Sequence, residues 1–490
     1  MPPPPERFPL LQRAETAALF QTARGVIRRG EFLAASWRLA AALTAEAPAG
    51  VPAGSPAGSP AGSVVLNLCE DRLSFALGFA AAMIAGCRSA LSSDRSPARV
   101  RDLATRLGAA AILSETPLGE IPLGDPTLGD PPLGETPTAI APCRTVMVDP
   151  AALLAGATAA GGQERAANPE IAGETPAAEV FTSGSTGEPV AHGKTWGALF
   201  ARSLAAASRF GLGADGPVSV VGTVPPQHMY GFETTILLAF HGPVTSWCGP
   251  AFFPHDIAAA LAAMPAPRLL VTTPLQLRAL LDAALSLPPL ALVISATAPL
   301  APDLAARAEA RWRTRVAEIF GATEAGSIAS RMTAASEIWE AYPGLRLAAA
   351  ADGVVSVAAP FAETVALADA LELVAPARFR LLGRRSDVVK LGGKRASLAA
   401  LTRILTAIEG VEDGVFVAPG DLDAEPTARL LAFVVAPGRE PGEILAALRR
   451  EIDPIFLPRR VIPLPRLPRN EFGKLSAAHL AALAGPPARG

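Results

Sequence analysis

Residues 181–197 read Phe-Thr-Ser-Gly-Ser-Thr-Gly-Glu-Pro-Val-Ala-His-Gly-Lys-Thr-Trp-Gly. Thr182 to Thr186 are small, and Thr182, Ser183, Ser185 and Thr186 carry hydroxyls. Gly184 and Gly187 let the backbone turn tightly and approach a ligand closely. Hydroxyls and free backbone N–H groups in such a turn form a concave anion site. Residues 178–181 read as a strand end and 196–208 as a helix, so the spacing predicts strand, loop, helix, the usual setting of a phosphate cradle. A Walker A loop is excluded, because Gly187 lies one residue too far upstream of Gly193-Lys194-Thr195. A Ser/Gly-rich surface loop is the plain alternative for this stretch alone.

Other stretches could join it. In Glu318-Ile319-Phe320-Gly321-Ala322-Thr323-Glu324-Ala325-Gly326 a hydroxyl and a carboxylate follow a strand and a tight turn. Glu324 is a hard oxygen ligand suited to Mg²⁺, which usually also touches substrate phosphates. A helix N-terminus capped by Thr323, with Glu324 in its first turn, fits equally well. Pro225 to Phe232 contains His228, and residues 294–300 read Ile-Ser-Ala-Thr-Ala-Pro-Leu. Residues 368–373 and 379–395 read as two strands and a basic Gly-rich turn, for which a basic surface hairpin is the plain alternative. Pro468 to Leu475 ends on Gly473-Lys474-Leu475, and a lysine there is ordinarily just solvated.

Taken in chain order, the stretches resemble the adenylate-forming superfamily: acyl- and aryl-CoA synthetases, non-ribosomal peptide adenylation domains and beetle luciferases. Residues 181–189 match its phosphate-binding signature, and Val190 stands where the family usually has Lys. The resemblance implies that residues 182–187 cradle the β- and γ-phosphates of ATP, with Lys194 a candidate to supply the charge missing at Val190. It implies that Phe320, Gly321 and Ala322 pack near the adenine, that Thr323 touches the α-phosphate and that Glu324 holds Mg²⁺. His228 would lie beside the acyl pocket and carboxylate. Ser295, Ala296 and Thr297 would form the turn beside the adenine; Ala296 and Thr297 replace two family glycines, so this turn is expected to avoid positive φ. Asp369, preceded by Leu367-Ala368 in place of Thr-Gly, would accept from both ribose hydroxyls. Arg384 would also contact ribose, and Ser386 falls at the hinge position. Lys390, Gly393 and Arg395 would act in the thioester-forming orientation or contact phosphate. Lys474 would be the catalytic lysine, bridging the substrate carboxylate and the α-phosphate.

The implied reaction activates a small carboxylic acid with ATP and Mg²⁺ as an acyl-adenylate. The acyl group then passes to coenzyme A or the phosphopantetheine of an acyl carrier protein. The string Ser-Thr-Gly-Glu-Pro with Lys194-Thr195-Trp196 is similar to synthetases that feed aromatic or fatty acyl groups to carrier proteins in bacterial polyketide-like clusters. A non-catalytic nucleotide-binding protein with a decayed site is the competing class. Against it, Glu324, Asp369, Arg384 and Lys474 all stand at matching positions.

The elements that must position these residues follow from hydrophobic patterning. The chain has 490 residues, of which 50% are hydrophobic, enough for a large core and more than one domain. A formal net charge of −2 gives no electrostatic reason to expect a nucleic-acid or membrane-surface partner. Cys69, Cys87, Cys143 and Cys248 are widely separated and form no C-x-x-C pair, which suggests a reduced, cytoplasmic chain. The N-terminus has no signal-peptide pattern, and the apolar run 75–86 is too short to span a bilayer, so it is expected to be a buried helix. Helical spacing is read over 14–44, with a turn near Arg29-Gly30. Strands are expected at 64–68, 109–113, 218–221, 269–272, 291–295 and 315–320, alternating with helices. The repeats at 49–63 and 115–137 read as low-complexity insertions; regularly spaced acids in the second make a metal site conceivable, a solvated loop being the plainer reading. The predicted fold is α/β, with doubly wound, mostly parallel sheets in a large N-terminal domain (1–383) and a small α+β domain (384–490) beyond a hinge. Oligomeric state is not legible.

Overall fold

A computed structural model describes residues 6–45, 62–92, 95–116, 143–159, 166–183, 189–214, 216–384, 388–391, 394–418 and 429–468. The chain divides into two compact units, one of 1–346 with 357–365, the other of 347–356 with 366–490.

The first unit holds two α/β layers. One sheet runs in the order Pro189–Thr195, Pro176–Ser183, Arg88–Leu91, Val64–Asn67, Ala109–Ser114, Arg144–Met147, parallel except for its first strand. All four residues of Val64–Asn67 are buried, as expected of a strand covered on both faces. The apolar run becomes the buried helix Arg72–Ile84; Asp71 caps it, accepting from Leu73 N (3.0 Å) and Ser74 N (2.9 Å). No helix among the described residues is long and apolar enough to cross a membrane.

The second sheet has a parallel centre, Val244–Trp247, Val218–Gly222, Arg268–Thr272, Leu292–Ser295 and Arg315–Ala322. Gly326–Met332 and Ile338–Ala341 extend it with antiparallel pairing. Helices Pro254–Ala263, Pro274–Asp282 and Pro302–Trp312 pack on it through Ile257, Leu261, Leu277, Leu280 and Leu304. Of the helices expected over 14–44, with a turn near Arg29-Gly30, the structure forms only one, which begins at Arg29. Before it, Ala18–Thr22 and Gly25–Arg28 form a hairpin whose first strand pairs in parallel with Val244–Trp247. Gly25 at φ +143° makes the turn, and burying Leu19, Phe20 and Ile27 against the sheet edge overrides local helical spacing.

The second unit is α+β. Hairpins Asp369–Ala375/Arg378–Arg384 and Val388–Leu391/Lys394–Ser397 precede a sheet of Asp413–Val417, Leu431–Val435 and Arg460–Pro463. Helices Leu398–Thr406 and Pro441–Glu451 close its core through Leu401, Leu405, Ile444 and Leu448.

Candidate active site

Val218–Gly222, Leu292–Ser295 and Arg315–Ala322 run parallel, so the segments that follow them leave one edge of the sheet. Strand C-terminal ends are where such sheets bind ligands. Tyr230 pins the segment after Val218–Gly222: its buried hydroxyl lies 3.1 Å from Thr272 O and 2.9 Å from Ile294 O. His228, two residues earlier, is exposed, and the protein around its ring lowers its pKa, favouring neutral imidazole. Arg72 ties the other layer to the same edge, donating to Trp247 O (2.7 Å), Gly222 O and Val224 O (both 3.1 Å).

The Glu324 turn is not a helix N-terminus. Residues 323–325 join two antiparallel strands, closed by Ala325 N to Ala322 O at 3.0 Å. Thr323 and Glu324 are half-buried at the tip. Phe320 is buried, its ring centroid 5.7 Å from that of Trp339, which carries the Arg331 guanidinium 4.6 Å above it.

The hydroxyl-rich loop also departs from expectation. Pro176–Ser183 is followed not by a helix but by the antiparallel strand Pro189–Thr195, and helix Trp196–Arg209 starts after that. Two paired strands, rather than a strand and a helix, therefore flank residues 184–188. Thr182 and Ser183 end the first strand; Gly184, Ser185, Thr186 and Gly187 lie outside the described residues. The extra strand has a consequence for Lys194. Val190 and Lys194 share a strand face at even spacing; Val190 is 51% exposed, whereas Lys194 is buried with its Nζ 2.5 Å from Glu324 O. Burial lowers the Lys194 pKa to about 8, with Glu233 and Glu324 opposing and Arg202 assisting that shift.

The turn 295–299 overturns another expectation. Thr297 sits at φ +77°, a left-handed conformation that a β-branched residue resists. Glu318 holds the end of this turn, accepting from Leu300 N (2.8 Å) while paired with Arg331 (2.8 Å) and Thr333 Oγ1 (3.0 Å). Ala296 and Ser295 are buried, and the Ser295 hydroxyl has no hydrogen-bond partner among the described residues. Because the strain disappears without a side chain, Thr297→Gly is expected to raise stability by about 1 kcal/mol despite the more flexible unfolded chain. The midpoint of urea unfolding measures this, and a lower midpoint would contradict it.

In the second unit Asp369 is buried at the start of its strand, with Arg384 as its register partner in the neighbouring strand. Lys390 and Arg395 are register partners in the next hairpin. Ser386, Gly393 and Lys474 lie outside the described residues. Of the apolar residues near the segment, Trp247 joins the core, while Phe252, 63% exposed, lines a cavity of about 580 Å³ with Arg72, Arg95, Pro225 and Gln227. Cys69, Cys87 and Cys248 are buried thiols outside any disulfide, and burial raises the pKa of each.

Sequence reasoning missed Glu233, Arg202, Arg72 and Ser327. The available signal was a charge inside an apolar helical segment, such as Glu233 within 232–240.

The sequence profile described as AMP-binding enzyme matches residues 29–370, more than half of the chain. The chain belongs to this family, within the adenylate-forming superfamily. It is 31% identical to a 4-coumarate–CoA ligase of Rhodobacter capsulatus over 288 residues, 56% of this chain and 67% of that protein. A 4-coumarate–CoA ligase of Halorhodospira halophila is 30% identical over 302 residues, 60% of this chain and 73% of that one. Among solved structures, ATP-bound MatB from Rhodopseudomonas palustris superposes with a TM-score of 0.73 at 19% identity, covering 96% of each chain. The O-succinylbenzoate coenzyme A synthetase of Bacillus subtilis superposes at 0.72 and 17% identity, covering 97% of this chain and 98% of that one. At these identities the likeness is one of fold.

Proposed function

We propose that this chain activates a carboxylic acid with ATP as an acyl-adenylate and passes the acyl group to a pantetheine thiol, of coenzyme A or of a carrier protein. A fatty or aromatic acid is the proposed substrate class; the 4-coumarate–CoA ligases named above support the aromatic branch. The observation that carries the reading is the Lys194–Glu324 contact, which holds the strand after the hydroxyl-rich loop against the carboxylate turn.

The carboxylate attacks the α-phosphorus and pyrophosphate leaves, so the chain's task is positioning and charge neutralisation. Residues 182–187 hold the β- and γ-phosphates, Thr323 contacts the α-phosphate, and Ser295 to Thr297 with Phe320 to Ala322 bound the adenine. Neutral His228 lines the acid's carboxylate without adding a charge. Among the described residues no three metal-ligating side chains cluster. Glu324 alone on an accessible turn fits Mg²⁺, which is held by one or two carboxylates plus substrate phosphates. Mg²⁺ there would offset phosphate charge. Asp369 and Arg384 hold the ribose, and Lys474 bridges carboxylate and α-phosphate. The region beyond 384, with Lys390 and Arg395, then reorients to admit the thiol.

Pyrophosphate release with ATP and Mg²⁺ tests this across acetate, medium and long fatty acids, benzoates and cinnamates, with and without coenzyme A. Release with one acid class is expected. Release without a coenzyme A thioester would make a carrier protein the acceptor. ATP binding with no release from any acid would overturn the ligase reading.

A further inference from the structure

Three charged side chains, separated by up to 39 residues in sequence, are buried together behind the Glu324 turn. Glu233 is 4% exposed, Arg202 7% and Lys194 9%. Burying charges is costly unless each is paired and hydrogen-bonded. Here the partners belong to one short piece of backbone. The Glu233 carboxylate accepts from Ser327 N (3.1 Å) and from Ser327 Oγ. Arg202 donates to Ser327 O, and Lys194 donates to Glu324 O. The groups bracketing residues 324–327 are therefore clamped from helix Trp196–Arg209, strand Pro189–Thr195 and the segment carrying Glu233.

Two features show that the chain is shaped to admit this carboxylate. Glu233 lies in a π-helical turn, Phe232–Leu237, wider than an α-helix and common at functional sites. Gly326, at φ +74°, leaves room for it: a Cβ there would stand 2.7 Å from Glu233 Oε1. Glu233 has no part in the proposed chemistry, and it supplies the negative charge that Arg202 and Lys194 face.

We propose that Glu233 is a positioning residue: by holding Ser327, and with it the counter-charged Arg202 and Lys194, it fixes the backbone of the Glu324 turn and so sets how well that turn takes a divalent cation with nucleotide. The inference rests on the proposed role of Glu324.

The test uses the full chain and titrates ATP by calorimetry with and without Mg²⁺, alongside half-saturating Mg²⁺ in pyrophosphate release. In Glu233→Gln the shape persists but the charge is lost. The Mg²⁺-dependent tightening of ATP binding is expected to fall about tenfold, with half-saturating Mg²⁺ rising and the KM of the acid unchanged. Ser327→Ala removes one donor while leaving the fold intact, and about a threefold shift in the same direction is expected; it decides the matter if Glu233→Gln does not fold. Unchanged Mg²⁺ dependence in a folded variant, with only a lower Tm, would overturn the proposal. Glu324→Gln separates the two readings. If it abolishes the Mg²⁺ effect while Glu233→Gln does not, only the positioning role falls. If it leaves the effect intact, the role of Glu324 falls first.

Discussion

Lys474→Ala is expected to slow adenylate formation by about a hundred- to a thousandfold, the range seen when one preorganised charge-stabilising group is removed. A lysine ammonium is a compact point charge, suited to a site where the attacking carboxylate and the α-phosphate meet and their charges repel. Nothing in the second half-reaction needs that charge, because the adenylate already exists when the thiol arrives. Thioester formation from supplied acyl-adenylate is therefore expected to survive within a few-fold of the parent chain. Pyrophosphate release measures the first step, and thioester yield from synthetic acyl-adenylate measures the second. Equal loss in both would remove the assigned role. Lys474 lies outside the described residues, so this expectation rests on its motif alone.

Gly326→Ala is expected to cost about 2–5 kcal/mol of stability and to weaken Mg²⁺-dependent ATP binding. Two effects add. A left-handed conformation at φ +74° costs a non-glycine residue about 1–2 kcal/mol. The new methyl would also lie 2.7 Å from Glu233 Oε1 and 3.4 Å from Met229 Cε, and overpacking of that kind costs about 1–3 kcal/mol. The carboxylate cannot retreat freely, because Ser327 holds it through backbone and hydroxyl. Urea unfolding gives the sign, which is diagnostic: at an unstrained position the same change stabilises by about 0.4–1 kcal/mol. A midpoint equal to or above that of the parent chain would contradict the geometry of the turn.

Much of the architecture was legible because its signals are local. Short runs rich in β-branched residues and leucine, such as 218–221 and 269–272, mark strands buried on both faces, and the alternation with helices implies a parallel sheet. The runs of hydroxyls and glycines, the Thr-Glu pair and the Asp369 strand pair are short motifs whose residues lie close in sequence, so their types and order suffice to point to one family.

Four things only the tertiary structure decided. Residues 18–28 satisfy a helical spacing, but their strand pairs with Val244–Trp247, more than two hundred positions on, and buried area outweighs local propensity. Thr323 and Glu324 suit a helix start as well as a hairpin tip; pairing of Arg315–Ala322 with Gly326–Met332 settles it. Thr297 stays at positive φ because Glu318, from the next strand, holds Leu300. The clamp on the Glu324 turn joins residues 94 to 130 positions apart. The sequence alone determined the family and the order of the motifs. The register of parallel strands, the choice between helix and hairpin, and the pairing of buried charges depend on which distant backbone arrives alongside, and no local pattern encodes that.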